Sequence, residues 1–232
     1  RMLRSRKDAH EVSIMKKAAA IGSTAIASVR QSIFVGWTER EIAFALEVAA
    51  REAGADGLAF DTIVASGKNA SLPHAKPSSR KIKKGDFLVI DFGVRYRGYC
   101  SDETCTFAFG ELTDDQKNAY RLVKQAQDEA VAAIRDGVSA FEIDDSVRRV
   151  FGPQFIRYFV HGTGHGVGLE VHEAPRLSPK SKDVLKTGMI VTVEPGLYFP
   201  GKWGIRIEDT VLVKEKGCEK ITKMNKDLTV IE

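Results

Sequence analysis

The sequence predicts an α+β protein that forms a single domain over residues 1–232, built from two similar α/β halves of about residues 8–110 and 111–232. One observation is the order of elements, since two helices, a strand, a loop and a hairpin occur twice along the chain. The other is a repeated motif. "HAKP" at 74–77 and "HEAP" at 172–175 are each followed by a Lys/Gly turn, a strand, an acidic residue and a glycine.

The helices are predicted from apolar spacing and from capping boxes. Thr38 is followed by Glu41, and Thr113 by Gln116, which is the pattern in which two side chains satisfy the first amides of a helix. The four predicted helices cover residues 8–30, 38–54, 113–136 and 140–151.

The strands are predicted where short apolar runs lie between turn residues. A hairpin with a turn near Arg97 and Gly98 is expected in the first half, and a strand–turn–strand unit is expected in the second. The segments predicted to form strands are residues 58–67, 87–109, 155–160 and 188–213.

The composition is that of an ordinary globular protein, with 43% hydrophobic and 28% charged residues. A net charge of +4 favours neither a nucleic-acid binder nor a membrane-surface protein, and no apolar run is long enough to span a bilayer. Cys100, Cys105 and Cys218 are too few and too scattered for a disulfide framework. We therefore expect a cytoplasmic protein with neither nucleic-acid nor membrane partners.

Two aspartates are expected to lie side by side in the first hairpin. Asp91 and Asp102 are equidistant from a turn placed between Tyr96 and Arg97. Residues at such positions of an antiparallel hairpin face each other with Cβ atoms about 5 Å apart. Like charges in this position are destabilising, so a buried pair of this kind indicates a function.

The second half repeats this arrangement with glutamates. Glu194 and Glu208 are symmetric about Gly201, and Arg206 lies on the same strand face as Glu208. One arginine does not neutralise four buried acids, whereas divalent cations do. The alternative is that some of these acids lie on a solvated sheet face. The apolar strands beside them favour burial.

The segment "HGTGHGVGLEVHE" at 161–173 adds three histidines, a density typical of metal or proton chemistry. Together with the four acids, it resembles the dinuclear metallopeptidases of the pita-bread fold, which include methionine aminopeptidase, aminopeptidase P and prolidase. The resemblance covers about residues 8–230. The family's ligand order is Asp, Asp, His, Glu, Glu, and the matching positions are Asp91, Asp102, His165, Glu194 and Glu208.

The resemblance implies a fold in which two pseudo-symmetric α/β halves surround a curved antiparallel sheet, with two divalent cations bound between them. Asp102 and Glu208 would bridge both cations. Asp91 would chelate one cation, and His165 with Glu194 would complete the other. Mn²⁺ is favoured, and Co²⁺, Zn²⁺ and Fe²⁺ are compatible with this ligand set.

His161 separates the branches of this family. It forms a His-x-x-x-His pattern with His165, which resembles the proline-specific branch. The short spacer between Glu194 and Glu208, and Arg206 in "GIRIED", are also similar to that branch. Its members carry a separate N-terminal domain, which we expect to be absent here, in a catalytic-domain fragment or a naturally short member.

The resemblance implies an exopeptidase that cleaves small peptides with proline in second position, by attack of hydroxide held between the cations. The oligomeric state stays open between a monomer and a homodimer. Glu194 would move the proton as well as bind metal. His161 and His172 would contact the substrate carbonyl or the proline side. His74 would donate to the substrate or its leaving nitrogen, and Arg206 would orient a carboxylate ligand or bind a substrate carboxylate.

Other interpretations stay open for the residues and for the function. His74 in a Ser/Pro loop is by itself a surface histidine, and a structural hydrogen bond is the alternative for His161. A methionine aminopeptidase is disfavoured by His161 and by the spacing of the two glutamates. A catalytically silent peptide-binding module is disfavoured because every ligand position is filled.

Overall fold

The computed structural model describes residues 2–232, and residue 1 lies outside the described residues. The described residues contain five α-helices, two short 3-10 helices and fourteen β-strands. None of the described helices is long and apolar enough to cross a membrane. The helices are α1 (Met2–Ser5), α2 (Ala9–Arg30), α3 (Glu39–Glu52), α4 (Asp114–Ala133) and α5 (Ala140–Phe155). The strands are β1 (Gly57–Leu58), β2 (Ile63–Ser66), β3 (Phe87–Phe92), β4 (Val94–Tyr96), β5 (Tyr99–Cys100), β6 (Glu103–Phe109), β7 (Gly164–Gly166), β8 (Glu173–Leu177), β9 (Ile190–Val193), β10 (Gly196–Phe199), β11 (Trp203–Arg206), β12 (Asp209–Val213), β13 (Cys218–Lys220) and β14 (Thr229–Ile231).

Each long helix begins with a reciprocal capping box, in which the N-cap side chain and the third helical residue satisfy each other's backbone amides. The boxes predicted at Thr38 and Thr113 are confirmed. Two further boxes, not predicted, begin at Asp8 and Ser139. Each cap stabilises its helix by about 1 kcal/mol and fixes where the chain turns towards the sheet.

The internal repeat predicted from the sequence is visible in equivalent backbone contacts of the two halves. Thr38, the N-cap of α3, forms an isolated bridge with Lys81. Ser139, the N-cap of α5, forms the same bridge with Val184. In the first half the next strand is β3, which contains Asp91. In the second half it is β9, which Glu194 follows directly.

Two larger sheets carry the site. Their strand orders are β14-β6-β3-β2 in the first half and β13-β12-β9-β7-β8 in the second, and β14 joins β6 in parallel. One core lies between α2, α3 and the first sheet, and a larger core lies between α4, α5 and β9 to β12. The strand predicted over residues 58–67 is split into β1 and β2, which belong to different sheets.

The predicted direct pairing of Asp91 with Asp102 is wrong, because β3 and β6 place Asp91 opposite Thr104. Arg97 and Gly98 both have positive φ, 48° and 83°, and form a two-residue turn. The centre of the hairpin therefore lies between them, one residue later than predicted. Asp102 sits diagonally from Asp91, two positions from its partner, so both side chains still share one face.

The register predicted for the second hairpin is confirmed. β10 and β11 pair symmetrically about Gly201, and β12 places Asp209 opposite Val193 with the same centre of symmetry. Glu194 and Glu208 lie opposite each other in the gap between these two ladders. The register of Glu194 with Glu208 follows from the position of the turn at Gly201, as predicted from the sequence.

The prediction of a strand over residues 155–160 is wrong. α5 instead continues into this segment after a break at Gly152, whose φ is 58°, and ends in a 3-10 turn. Pro153 suits the first turn of the new helical stretch, where a missing N–H costs nothing. Tyr158 stacks on Phe199 with ring centroids 4.3 Å apart. The short strand β7, not this segment, therefore carries the site histidine.

Candidate active site

Three carboxylates from the two halves meet at one point. Asp91 lies near the end of β3, Asp102 lies in the link before β6, and Glu208 lies in the link between β11 and β12. One carboxylate oxygen of each lies within 4.8 Å of those of the other two. Asp102 and Glu208 are only 5% and 1% exposed. Three like charges this close and this buried require compensation.

His165 and Glu194 complete the cluster. His165 Nε2 lies 3.3 Å from Glu194 Oε1 and 3.6 Å from Asp102 Oδ2. Its Nδ1 lies 3.0 Å from the carbonyl oxygen of Gly166, which assigns the proton of the neutral ring to Nδ1. In the metal-free chain, burial opposes a charge on this ring, but the hydrogen bond and charge of Glu194 outweigh burial and raise the pKa of His165, which favours a second proton on Nε2. A bound cation would take the place of that proton on Nε2.

Burial and mutual repulsion shift the pKa of these groups. Burial first, and then the charge of Glu208, raise the pKa of Asp102 well above its ordinary value. Burial and the charge of Glu194 raise the pKa of Glu208 in the same way. Burial also acts on Glu194, but the hydrogen bond and charge of His165 outweigh it and lower that pKa to about 2. The cluster thus holds more negative charge than its protein partners neutralise.

The cluster fits a divalent cation. Asp91 Oδ1 and Glu208 Oε1 are buried and have no hydrogen-bond partner among the described residues. Buried acceptors without a partner are costly, and a bound cation would satisfy both. Four carboxylates with one imidazole form a ligand set that suits Mn²⁺, Fe²⁺, Co²⁺ and Zn²⁺.

We expect the metal-free chain to lose stability as the pH rises above the ordinary carboxyl pKa of about 4. Asp102 and Glu208 have raised pKa values in the folded state, so the folded chain keeps protons that the unfolded chain has released. The free energy of unfolding therefore falls as the pH rises above the ordinary carboxyl pKa of about 4. Thermal unfolding in a chelator measures this slope. Glu208→Gln should flatten it, and an unchanged slope would assign it to other groups.

Arg206 is the buried cation beside the cluster, at 3% exposure. Its Nη2 lies 2.6 Å from Asp91 Oδ2, and its Nη1 donates to the Tyr198 hydroxyl at 2.7 Å. Its Nε donates to Thr104 Oγ1, which in turn donates to Glu208 Oε2 at 2.6 Å. These contacts hold one oxygen of each acid and leave the other facing the site. Two roles were predicted for Arg206, orienting a carboxylate ligand or binding a substrate carboxylate. Its contact with Asp91 corresponds to the first of them.

A cavity of about 680 Å³ opens onto the cluster, within the size range of small-molecule sites. His74, from the loop after β2, and His172, from the link between β7 and β8, both line it and are exposed. The His172 ring meets the His165 ring edge to face, with centroids 4.4 Å apart. The cavity wall also contains Phe60, Ile63, Val171, Leu177, Lys76 and Arg176.

His161 lines the same cavity, but both of its ring nitrogens are engaged. Nδ1 lies 2.7 Å from the carbonyl oxygen of Gly162, and Nε2 lies 2.9 Å from the Tyr198 hydroxyl. With its proton on Nδ1, the ring accepts the hydroxyl proton of Tyr198 at Nε2. Burial lowers the pKa of His161, which keeps the ring neutral. His161 is therefore linked to Arg206 through Tyr198.

The contacts of three polar residues with the cluster and with Arg206 were not predicted from the sequence. Thr104 and Tyr198 contact Arg206, and Thr192 Oγ1 donates to Glu194 Oε1 at 3.3 Å. Thr104 and Thr192 each lie two positions from a predicted ligand in a strand, so the period-two alternation could have found them. Tyr198 carries no such signal, because the chain changes sheets between Glu194 and β10.

The fold and this site define a protein of the metallopeptidase class. The sequence profile of Metallopeptidase family M24 matches residues 13–215, and the chain belongs to this family. The predicted family and its pita-bread fold are thereby confirmed. The family implies a divalent metal, and the cluster fits one.

The individual relatives share a substrate type in their names. The chain is 42% identical to the Xaa-Pro dipeptidase of Pyrococcus furiosus over 227 residues, which cover 97% of this chain and 65% of that protein. The structure of an X-Pro aminopeptidase from Thermotoga maritima matches with a TM-score of 0.96 at 41% identity, over 99% of this chain and 66% of that one. An Xaa-Pro dipeptidase from Bacillus anthracis matches with a TM-score of 0.97 at 44% identity, over 99% and 65%.

Proposed function

We propose that this chain is the catalytic domain of a metal-dependent exopeptidase that hydrolyses the bond between an N-terminal residue and proline. The observation that carries this proposal is the cluster of four acids and His165 at one side of a cavity lined by histidines: Asp91, Asp102 and Glu208 lie together, and His165 Nε2 lies beside Asp102 and Glu194. The names of the similar proteins, Xaa-Pro dipeptidase and X-Pro aminopeptidase, support the substrate class.

The proposed ligands would hold two divalent cations, with Mn²⁺ favoured. Asp102 and Glu208, the two most buried of the four acids of the cluster, would supply carboxylate oxygens to them. Asp91, Glu194 and the His165 ring would supply the remaining ligand atoms. Cations bound there would supply positive charge that polarises the substrate carbonyl and makes the attacking water more acidic.

The side chains around the ligands would handle protons and charge. Glu194, whose pKa of about 2 keeps it ionised, would accept the proton of the attacking water at a carboxylate oxygen. Partial burial of the ring and the charge of His165 lower the pKa of His172, so its ring is neutral and would donate an N–H to the oxygen on which negative charge develops. His74 would donate to the leaving nitrogen, and Arg206 would keep the Asp91 carboxylate in place.

The substrate class is tested by comparing three peptides, Ala-Pro, Ala-Pro-Ala and Met-Ala-Ser, with Mn²⁺ and after chelation. We expect cleavage of the proline peptides only, and only with metal. Lys76 and Arg176 place positive charge on the cavity wall, which favours Ala-Pro with its free carboxylate close by. Cleavage of Met-Ala-Ser alone would indicate a methionine aminopeptidase. Metal-loaded chain that cleaves none of the three would indicate a peptide-binding module.

The role of His161 is tested separately from metal binding. His161→Ala removes the partner of the Tyr198 hydroxyl and should lower kcat by about 10- to 100-fold, the usual effect of losing a group that orients the site. Metal content, measured by elemental analysis, should stay at the wild-type value because His161 contacts no acid of the cluster. A stoichiometric loss of metal would make His161 a ligand instead.

A further inference from the structure

The two most buried ligand acids share a feature that the proposed chemistry does not use. Asp102 is followed by Glu103, and Glu208 is followed by Asp209. Because successive side chains of a strand point to opposite faces, the second acid of each pair points away from the cavity. Glu103 and Asp209 are each only 2% exposed. A second pair of buried carboxylates therefore lies behind the metal site.

One lysine from the C-terminal segment joins these two acids. Lys226 Nζ lies 2.5 Å from Glu103 Oε1 and 3.8 Å from Asp209 Oδ1, and it also donates to Cys105 Sγ at 3.3 Å. The lysine is itself buried, at 5% exposure. A buried ammonium between two buried carboxylates is held in one place, since any displacement exposes a charge without compensation.

Each acid is also anchored to the long helix of its own half. Ser23 of α2 donates to Glu103 Oε2 at 2.5 Å, and Gln127 of α4 donates to Asp209 Oδ2 at 2.8 Å. Lys226 therefore connects two preformed units, α2 with β6 and α4 with β12. It lies where the two pseudo-symmetric halves meet.

The same strands contact each other directly on the side of the ligands. Glu208 N donates to the carbonyl oxygen of Thr104 at 3.1 Å, and Thr210 Oγ1 donates to the carbonyl oxygen of Asp102 at 2.7 Å. The backbone of each ligand is thus tied to the opposite strand. A shift of Glu103 away from Asp209 would move Asp102 away from Glu208, because the residues are adjacent in the chain.

We propose that Lys226 is a positioning residue that sets the distance between Asp102 and Glu208 by binding Glu103 and Asp209 behind them. This inference rests on the proposed role of the two ligand acids in holding divalent metal. Loss of the link should weaken metal binding by about 10- to 100-fold, the usual effect of removing a partner behind a metal ligand. It should lower kcat with little change in KM, since Lys226 lies outside the cavity.

The test uses the full chain and two variants. Lys226→Met removes the ammonium but leaves two buried acids with less compensation, so it is expected to lower the melting temperature as well. Glu103→Gln combined with Lys226→Met removes one charge of each sign and should restore the melting temperature of the metal-free chain. It still lacks the ionic link, so its Mn²⁺ affinity by calorimetry should remain about 10- to 100-fold weaker.

Lys220→Met is the matched control. Lys220 also pairs with Asp209, at 2.7 Å from Oδ2, but its side chain is 41% exposed and does not reach Glu103. Its Mn²⁺ affinity and kcat should stay within about twofold of the wild type. The visible absorption spectrum of the Co²⁺-loaded chain reports ligand geometry. It should change in the double variant and stay the same in the control.

A folded double variant with wild-type Mn²⁺ affinity and Co²⁺ spectrum would overturn the positioning role. Failure of the double variant to fold would also contradict it, because Lys226 would then determine folding rather than ligand spacing. These results differ from failure of the proposed function, in which the wild-type chain itself binds no divalent metal or cleaves no Xaa-Pro peptide.

Discussion

Asp102→Asn is expected to abolish Xaa-Pro hydrolysis and to reduce the metal content of the purified chain. Asn keeps the size of the side chain but removes one of the charges that meet beside His165 Nε2 and Glu208. Metal ions contribute several kcal/mol of transition-state stabilisation, and each 1.4 kcal/mol is a factor of ten. The loss of activity should therefore be about a thousandfold or more. Peptide hydrolysis and elemental analysis measure the two effects.

Without metal, the same variant should be more stable than the wild type. In the wild type without metal, burial and the charge of Glu208 raise the pKa of Asp102, so ionised Asp102 is destabilising at neutral pH. Asp102→Asn should therefore melt at a higher temperature than the wild type in a chelator, and at a lower temperature with excess Mn²⁺. Glu215→Gln, at an exposed acid in the loop after β12, is the control and should change neither value. Full activity of Asp102→Asn would remove this residue from the ligand set.

Arg206→Lys is expected to lower activity by about a hundredfold although it conserves the charge. The guanidinium contacts Asp91, Tyr198 and Thr104 through three different nitrogens. An ammonium on a flexible stem does not reproduce this planar fork, so the Asp91 carboxylate is no longer fixed. A misplacement of about 1 Å at a reacting site costs about a hundredfold in rate.

The matched control for this prediction is Arg149→Lys. Arg149 lies on α5 with a side chain that is 71% exposed, and it pairs with Asp145 across one helical turn. Such a change should alter stability by less than about 0.5 kcal/mol and leave kcat unchanged.

Arg206→Met, which leaves Asp91 as an uncompensated buried charge, should lower the free energy of unfolding by about 3–5 kcal/mol without metal. Mn²⁺ should recover part of that loss. A variant Arg206→Lys with wild-type kcat would show that the fork is not required.

Much of the fold could be predicted because its signals are local. The capping boxes at Thr38 and Thr113 are patterns of four residues that begin a helix in almost any context. The second hairpin turns at Gly201, so its register also follows from a short segment. The turn of the first hairpin was predicted one residue too early. Arg97 takes a positive φ, which is uncommon for a residue other than glycine and which no sequence pattern indicates.

The internal repeat and the facing acids were predicted from the pattern of the sequence alone, and the set of five candidate metal ligands from its resemblance to the family. Strand alternation and turn position decide which face a side chain takes, and both are properties of neighbouring residues. Contacts between distant residues were decided only by the tertiary structure. Arg206 meets Asp91 across 115 positions of the chain, and Lys226 meets Glu103 across 123. No local pattern encodes these pairs, because they form only when the packing of the two halves brings their strands together.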